Sequence, residues 1–200
     1  DCVCRPIDEG GQGIQDIATL NRALMGLKLW QIIHGNRASI WVDWIYHTRL
    51  RNVTIWTTLE RGGSWGWRKL LCLRPLLRPF IHYFIGDGTT FSLWHDPWHD
   101  LGPLIQQFPQ GPRFTNTMEI DKVAVFLLDG QWCWPSITDT HSLQLLQSLP
   151  PIHGGVDRIL WRSRDTQLTV DMMIRSLQDE RPKVGWSSLL MGRFKTPRHT

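Results

Sequence analysis

The chain is poor in tyrosine and cysteine and has no long apolar run, and each shortage removes a class of protein. Four cysteines (Cys2, Cys4, Cys72 and Cys133) are too few and too irregularly spaced for a disulfide scaffold, which points to a reducing setting in the nucleus or cytoplasm rather than to secretion. No stretch approaches the roughly 18 apolar residues of a membrane span. The longest candidate, residues 70–85, is broken by Arg74, Pro75, Arg78 and Pro79. The first residue is Asp1, with no basic segment leading into an apolar one near it, so a fragment or processed product is expected.

Catalytic patterns are equally scarce. Two-metal nuclease or polymerase chemistry needs carboxylates converging on magnesium, yet no Asp-Asp pair occurs and Asp121, Asp129, Asp139 and Asp157 are scattered. Gly62–Gly66 spells a Gly-x-Ser-x-Gly string, but an elbow nucleophile needs a buried strand before it. Residues 55–60 are only a weak strand candidate, and no Asp/His pair can be assigned to Ser64. Gly86-Asp87-Gly88 lacks the Gly-Lys-Ser/Thr of a phosphate loop and reads as a turn. His95, Asp96, His99 and Asp100 form a compact cluster, but Pro97 makes it a loop, and a third ligand and the glutamate of a zinc-protease motif are missing. The plain reading is a polar loop packed by Trp94 and Trp98. Cys2 and Cys4 are one residue apart, a poor match to zinc spacing, and Cys72 lies on an apolar helix. No catalytic residue and no metal ligand is therefore assigned, and whether the chain belongs to an enzyme stays open.

What is present is a globular composition of 200 residues, 42% hydrophobic and 20% charged, enough for one domain or two small ones. Twelve tryptophans stand against two tyrosines, and the net charge is +4. Helices are expected from Asp16 as N-cap to Gly35, with Ile17, Leu20, Leu24, Leu27, Trp30 and Ile33 on the core face. A second is expected over 37–51, burying Ile40, Trp41, Trp44, Ile45 and Thr48. A third starts near Trp65 with Ser64 as cap and is shortened by Pro75 and Pro79. Residues 84–94 read as a hairpin around Asp87-Gly88. Residues 97–112 read as a loop. Short helices are expected at 118–128 and 142–149, short strands at 158–161 and 167–170, and helices at 171–178 and 184–191. The fold class expected is mainly α with a small central β-hairpin (α+β), in two loosely coupled helical halves meeting near 101–112.

One stretch is more promising. No acidic residue lies between Arg61 and Gly86, while Arg68, Lys69, Arg74 and Arg78 follow Trp65 and Trp67. Cations hold phosphates and aromatic faces stack bases, so these six residues, Trp65, Trp67, Arg68, Lys69, Arg74 and Arg78, are the candidate nucleic-acid contacts. A basic helix face in solvent with tryptophans as core anchors has the same pattern. A second basic group, Arg158, Arg162 and Arg164, is diluted by Asp157 and Asp165.

The motifs also carry a resemblance in order along nearly the whole chain. Cys4-Arg5-Pro6, Glu9–Ile14, Asn21–Leu24, Lys28-Leu29-Trp30, Ser64–Leu71, Ile85–Gly88 and Trp94–Trp98 resemble the region after the polymerase core of plant non-LTR (LINE-type) retrotransposon reverse transcriptases. Asp157, Leu160-Trp161, Val184, Trp186 and Pro197-Arg198 resemble the opening of that family's reverse-transcriptase zinc-binding domain. The resemblance implies a Trp-rich basic post-polymerase connector over 1–100, a linker with short helices over 101–156, and the start of a truncated zinc-binding domain over 157–200. It implies a parent polyprotein whose upstream polymerase uses magnesium, whose zinc ligands lie downstream, and which in some members carries ribonuclease H. The family's polymerase motif has no counterpart in this chain, so no cofactor is expected within it. Pro75, where the family usually carries an acidic residue, departs from the pattern, as drift in a decaying copy would.

The expected function is thus a non-catalytic fragment assisting RNA or DNA binding in target-primed reverse transcription. Its partners would be nucleic-acid backbone and the flanking polymerase and zinc-binding regions, with no membrane. The alternatives are a structural spacer or a relic with no nucleic-acid binding of its own. A carbohydrate-binding module is disfavoured by the lack of a secretion signal and by the helical spacing of Trp30, Trp41 and Trp44.

Overall fold

The computed structural model describes residues 16–35, 38–51, 53–61, 63–134, 148–162 and 167–178. The helices expected at 142–149 and 184–191, and Cys2 and Cys4, lie wholly or largely outside these residues. The chain divides into two compact units, Asp1–Leu27 with Leu168–Thr200, and Lys28–Gln167.

Helix α1 (Ile17–Ile33) begins where the Asp16 carboxylate accepts the Thr19 backbone N–H at 2.9 Å. In the first unit, its early turns meet α7 (Val170–Leu177), capped by Thr169, with Gly26 leaving room for the Met173 thioether. The strand expected at 167–170 is the approach to this helix instead. Ile17 and Leu24 are exposed, and the buried face runs through Ala23, Leu29, Trp30, Ile32 and Ile33.

The second unit holds the rest. α2 (Ile40–Thr48) is tied to the end of α1 by the Tyr46 hydroxyl, which donates to the Ile32 carbonyl at 2.7 Å. It buries Val42 and Ile45, while Ile40, Trp41 and Trp44 are exposed, against expectation. Six of its nine positions are apolar or aromatic, so the sequence carries little information about which face turns inward. α3 (Trp65–Leu71) is capped by Ser64 as expected, its hydroxyl accepting the Trp67 N–H at 3.2 Å. α4 (Arg74–Leu77) follows, with Pro75 in its first turn, and a 3-10 turn covers Arg78–Phe80. Cys72, between α3 and α4, is exposed rather than core.

β1 (Ile81–Phe84) pairs antiparallel with β4 (Arg158–Trp161), Ile81 opposite Trp161 and Phe84 opposite Arg158. The expected fold class holds, mainly helical with a small antiparallel β part, but the hairpin at 84–94 does not form. The hairpin among the described residues is β2 (Leu127–Leu128) with β3 (Gln131–Trp132), turned at Asp129-Gly130 with φ of 49° and 73°. Two left-handed residues in succession are what a type I′ turn requires. At Asp87-Gly88 only the glycine has positive φ.

Residues 85–126 wrap the hydrophobic core of this unit. Ile85, Phe91, Leu93, Trp94, Trp98, Leu104, Val123 and Phe126 are buried together. Short helices α5 (Leu104–Gln107) and α6 (Gly111–Phe114) occupy the stretch expected to be loop, and a 3-10 turn at Val123–Phe126 replaces the helix expected at 118–128. Two of the buried tryptophan rings in this core have partners for their N–H groups: Trp94 donates to the Thr117 hydroxyl and Trp98 to the Leu93 carbonyl, both at 3.0 Å.

Candidate nucleic-acid interface

The six sequence-predicted contacts separate into two groups. Trp67 is 8% exposed and belongs to the core. Arg74 is turned inward: its Nη1 donates to the carbonyls of Ile55, Trp56 and Thr58 at 2.7–3.1 Å, its Nε to Leu71, and its Nη2 to Glu60 at 3.2 Å. The Arg78 guanidinium ties the Ile81 carbonyl at 2.9 Å to that of Pro97 at 2.8 Å. Its burial lowers its pKa from the ordinary arginine value. Both cations spend their donors on backbone that would otherwise be unpaired, so they hold loops together instead of facing a partner.

Trp65, Arg68 and Lys69 remain outside. Trp65 is 65% exposed, and the Lys69 ammonium sits 5.8 Å from its ring centre, a cation over an aromatic face. Arg68 and Lys69 are exposed and, among the described residues, have no acidic partner. Arg49, which the sequence reading did not single out, brings its guanidinium within 3.5 Å of where a Cβ on Gly63 would stand, next to Trp67. Arg51 and Arg61 are also exposed. The end of α2 and the start of α3 therefore share a basic edge carrying one exposed indole. Arg49 lies fourteen residues before Gly63 in sequence, and only the folded chain brings its guanidinium to the segment that leads into α3.

The other motifs have internal partners. The loop from Gly86 to Phe91 presents backbone N–H groups as an anion site would, and the Asp157 carboxylate fills it. Asp157 accepts from Gly86 and Gly88 at 2.8 and 2.9 Å on one oxygen, and from Thr90 and Phe91 at 2.8 and 3.4 Å on the other. A side chain on Gly86 would collide with the Gly155 carbonyl, so the close approach of the 155–156 backbone requires glycine there. His95 and His99 do not share a ligand. His99 is fully buried, its Nδ1 accepting from the Leu101 N–H at 3.1 Å and its Nε2 near the Ser148 hydroxyl at 3.3 Å. His95 turns elsewhere, its Nδ1 2.8 Å from the Thr57 hydroxyl. Among the described residues no group of three or more His, Cys, Asp or Glu is placed to hold a metal. No described helix is long and apolar enough to cross a membrane.

The chain is 28% identical over 199 residues to a "Putative ribonuclease H protein" of Arabidopsis thaliana, covering 93% of this chain and 32% of that protein. It is 27% identical over 95 residues to an "Uncharacterized mitochondrial protein" of the same plant, covering 46% of this chain and 59% of that protein. The chain thus spans about a third of the length of the longer relative. Both relatives are plant proteins, as the sequence resemblance implied. No family model and no solved structure matches the chain.

Proposed function

We propose that the chain is the non-catalytic, nucleic-acid-associated part of a plant retrotransposon-derived polyprotein, a connector following a LINE-type reverse transcriptase core and leading into its zinc-binding domain. The observation that carries this reading is the exposed edge of α3, where Trp65, Arg68 and Lys69 stand without acidic partners beside Arg49 and Arg51. Such an edge grips phosphates and stacks a base without reading sequence. The similarity across 93% of the chain to a protein named for ribonuclease H supports a place in a polyprotein that processes RNA–DNA duplexes. In that protein magnesium would serve the polymerase and zinc the downstream domain, with RNA or target DNA held between them during target-primed synthesis. Arg74, Arg78 and the buried Trp67 drop out of the proposed contacts.

Binding of a labelled structured RNA to the purified chain, repeated across a salt series, tests this. Arg68→Glu with Lys69→Glu should weaken binding at low salt and flatten the slope of log affinity against log salt by about two, one per lost phosphate contact. Equal affinity and slope in the folded double variant would refute the assignment. Absence of any RNA binding would leave the spacer reading, which the exposed Trp41 and Trp44 on α2 favour as a docking face for the rest of a polyprotein.

A further inference from the structure

A cavity of about 380 Å³ opens beside this basic edge, within the same unit. That volume lies in the range of small-molecule sites, about 300–1,000 Å³. Trp56, Tyr83 and Phe91 give it aromatic walls, His95, Asp96 and Glu119 give it polar groups, and Arg51 and Lys122 line it as cations. The Nε2 atom of His95 is buried and, among the described residues, makes no hydrogen bond. It lies 3.8 Å from the Glu119 carboxylate, too far for one. Facing a carboxylate, Nε2 is the protonated nitrogen, and the Thr57 hydroxyl then donates to Nδ1. The cavity wall therefore carries, among the described residues, an N–H without a hydrogen-bond partner, with carboxylates beside it. A buried donor with no partner is a costly feature that a ligand would relieve.

Arg51 spends only its Nε within the described structure, on the His47 carbonyl at 2.8 Å. Its two terminal nitrogens are left for an anion, and Arg49, two residues back, reaches the segment that leads into α3. Cations at its edge and aromatic walls with polar groups inside suit the chemistry of one nucleotide unit. We propose that this cavity receives a single unstacked base of a single-stranded nucleic acid whose backbone runs over Arg51 toward α3, with His95 Nε2 donating to a ring carbonyl or nitrogen of the base. The inference rests on the interface reading above and gives it a strand preference: single-stranded over duplex.

The test compares a deoxythymidine heptamer with the same heptamer carrying an abasic central residue, both titrated at low salt into the full chain. The intact strand should bind about tenfold more tightly, as expected for one stacked base. Ile120→Trp, at an exposed position on the cavity lining, should abolish that difference by filling the cavity from its rim, and His95→Phe, which keeps a ring but has no N–H, should reduce it by removing the donor. Equal binding of the two strands would overturn the pocket while leaving the interface intact. A difference that survives Ile120→Trp would also overturn it and assign the stacking to Trp65. Failure of either strand to bind would overturn the interface reading together with the pocket.

Discussion

Arginines close in sequence do opposite jobs in this chain, and the difference is which carbonyls lie within reach. Arg74 is 13% exposed at its side chain and satisfies four backbone carbonyls and Glu60. Arg68, six residues earlier, is exposed. Replacing Arg74 with methionine keeps volume and helix propensity but orphans those carbonyls, so unfolding in urea should reveal a loss of about 3 kcal/mol. Arg74→Lys should recover little of it, because a single ammonium does not reproduce the guanidinium fork. The RNA affinity of folded Arg74→Met should equal that of the parent, and a drop would return Arg74 to the interface. Spacing and composition identified the basic stretch, but they could not divide it: a cation that binds phosphate and one that binds its own backbone look alike in one dimension.

At the scale of elements, prolines and Asp-Gly steps show how position decides meaning. Pro75 and Pro79 each sit in the first turn of a short helical segment. There the missing N–H has no intrahelical partner to lose and the fixed φ suits the helix start. Pro75 therefore fits this fold without damage, whatever residue relatives carry. The two Asp-Gly steps diverge because of what surrounds them. At Asp129-Gly130 two short strands are free to pair, and the turn closes a hairpin. At Asp87-Gly88 the N–H groups that would form a ladder are claimed by Asp157, about seventy residues away, and β1 pairs with β4 instead. Asp157→Ala leaves four N–H groups without their acceptor and should cost about 2–4 kcal/mol. Amide exchange at Gly86, Gly88 and Thr90 should accelerate with it, and Asp157→Asn should fall between the two. Unchanged exchange at these amides would mean that the loop is held by packing alone.

For the molecule as a whole, the cavity couples stability to pH through two groups of opposite sense. Lost hydration raises Asp96 from its ordinary 3.8 to about 6, with the Ser92 N–H pulling the other way. Between those values the folded chain holds a proton that the unfolded chain has released, so this contribution falls as pH rises from about 4 to about 6 and stays lost above. Burial lowers His95 from its ordinary 6.5, with Glu119 opposing. Below pH 6.5 the unfolded chain takes up a proton that the folded chain resists, so the His95 contribution falls as pH drops. Asp96→Asn removes only the first of these and can still accept the Ser92 N–H, bonded at 2.8 Å in the parent. Its melting temperature should match the parent near pH 4 and exceed it by several degrees at pH 7. A gap that does not change with pH would show that Asp96 is ionised in the folded chain throughout.

The sequence by itself determined the features that depend on near neighbours. Asp16 and Ser64 were legible as caps because a cap and its N–H lie three residues apart. The strand at 158–161 was legible from alternation, and the basic stretch from charge alone. Tertiary structure decided everything that depends on distant partners. It chose which face of a mostly apolar α2 turns inward, leaving Trp41 and Trp44 outside. It set Asp157 into the 86–91 loop, drew Arg74 and Arg78 into the interior, and brought His95 and Asp96 to the wall of a cavity. The physical reason is common to all of them: a buried polar group must find a partner, and the partner is selected by proximity in the folded chain, which a local pattern does not encode.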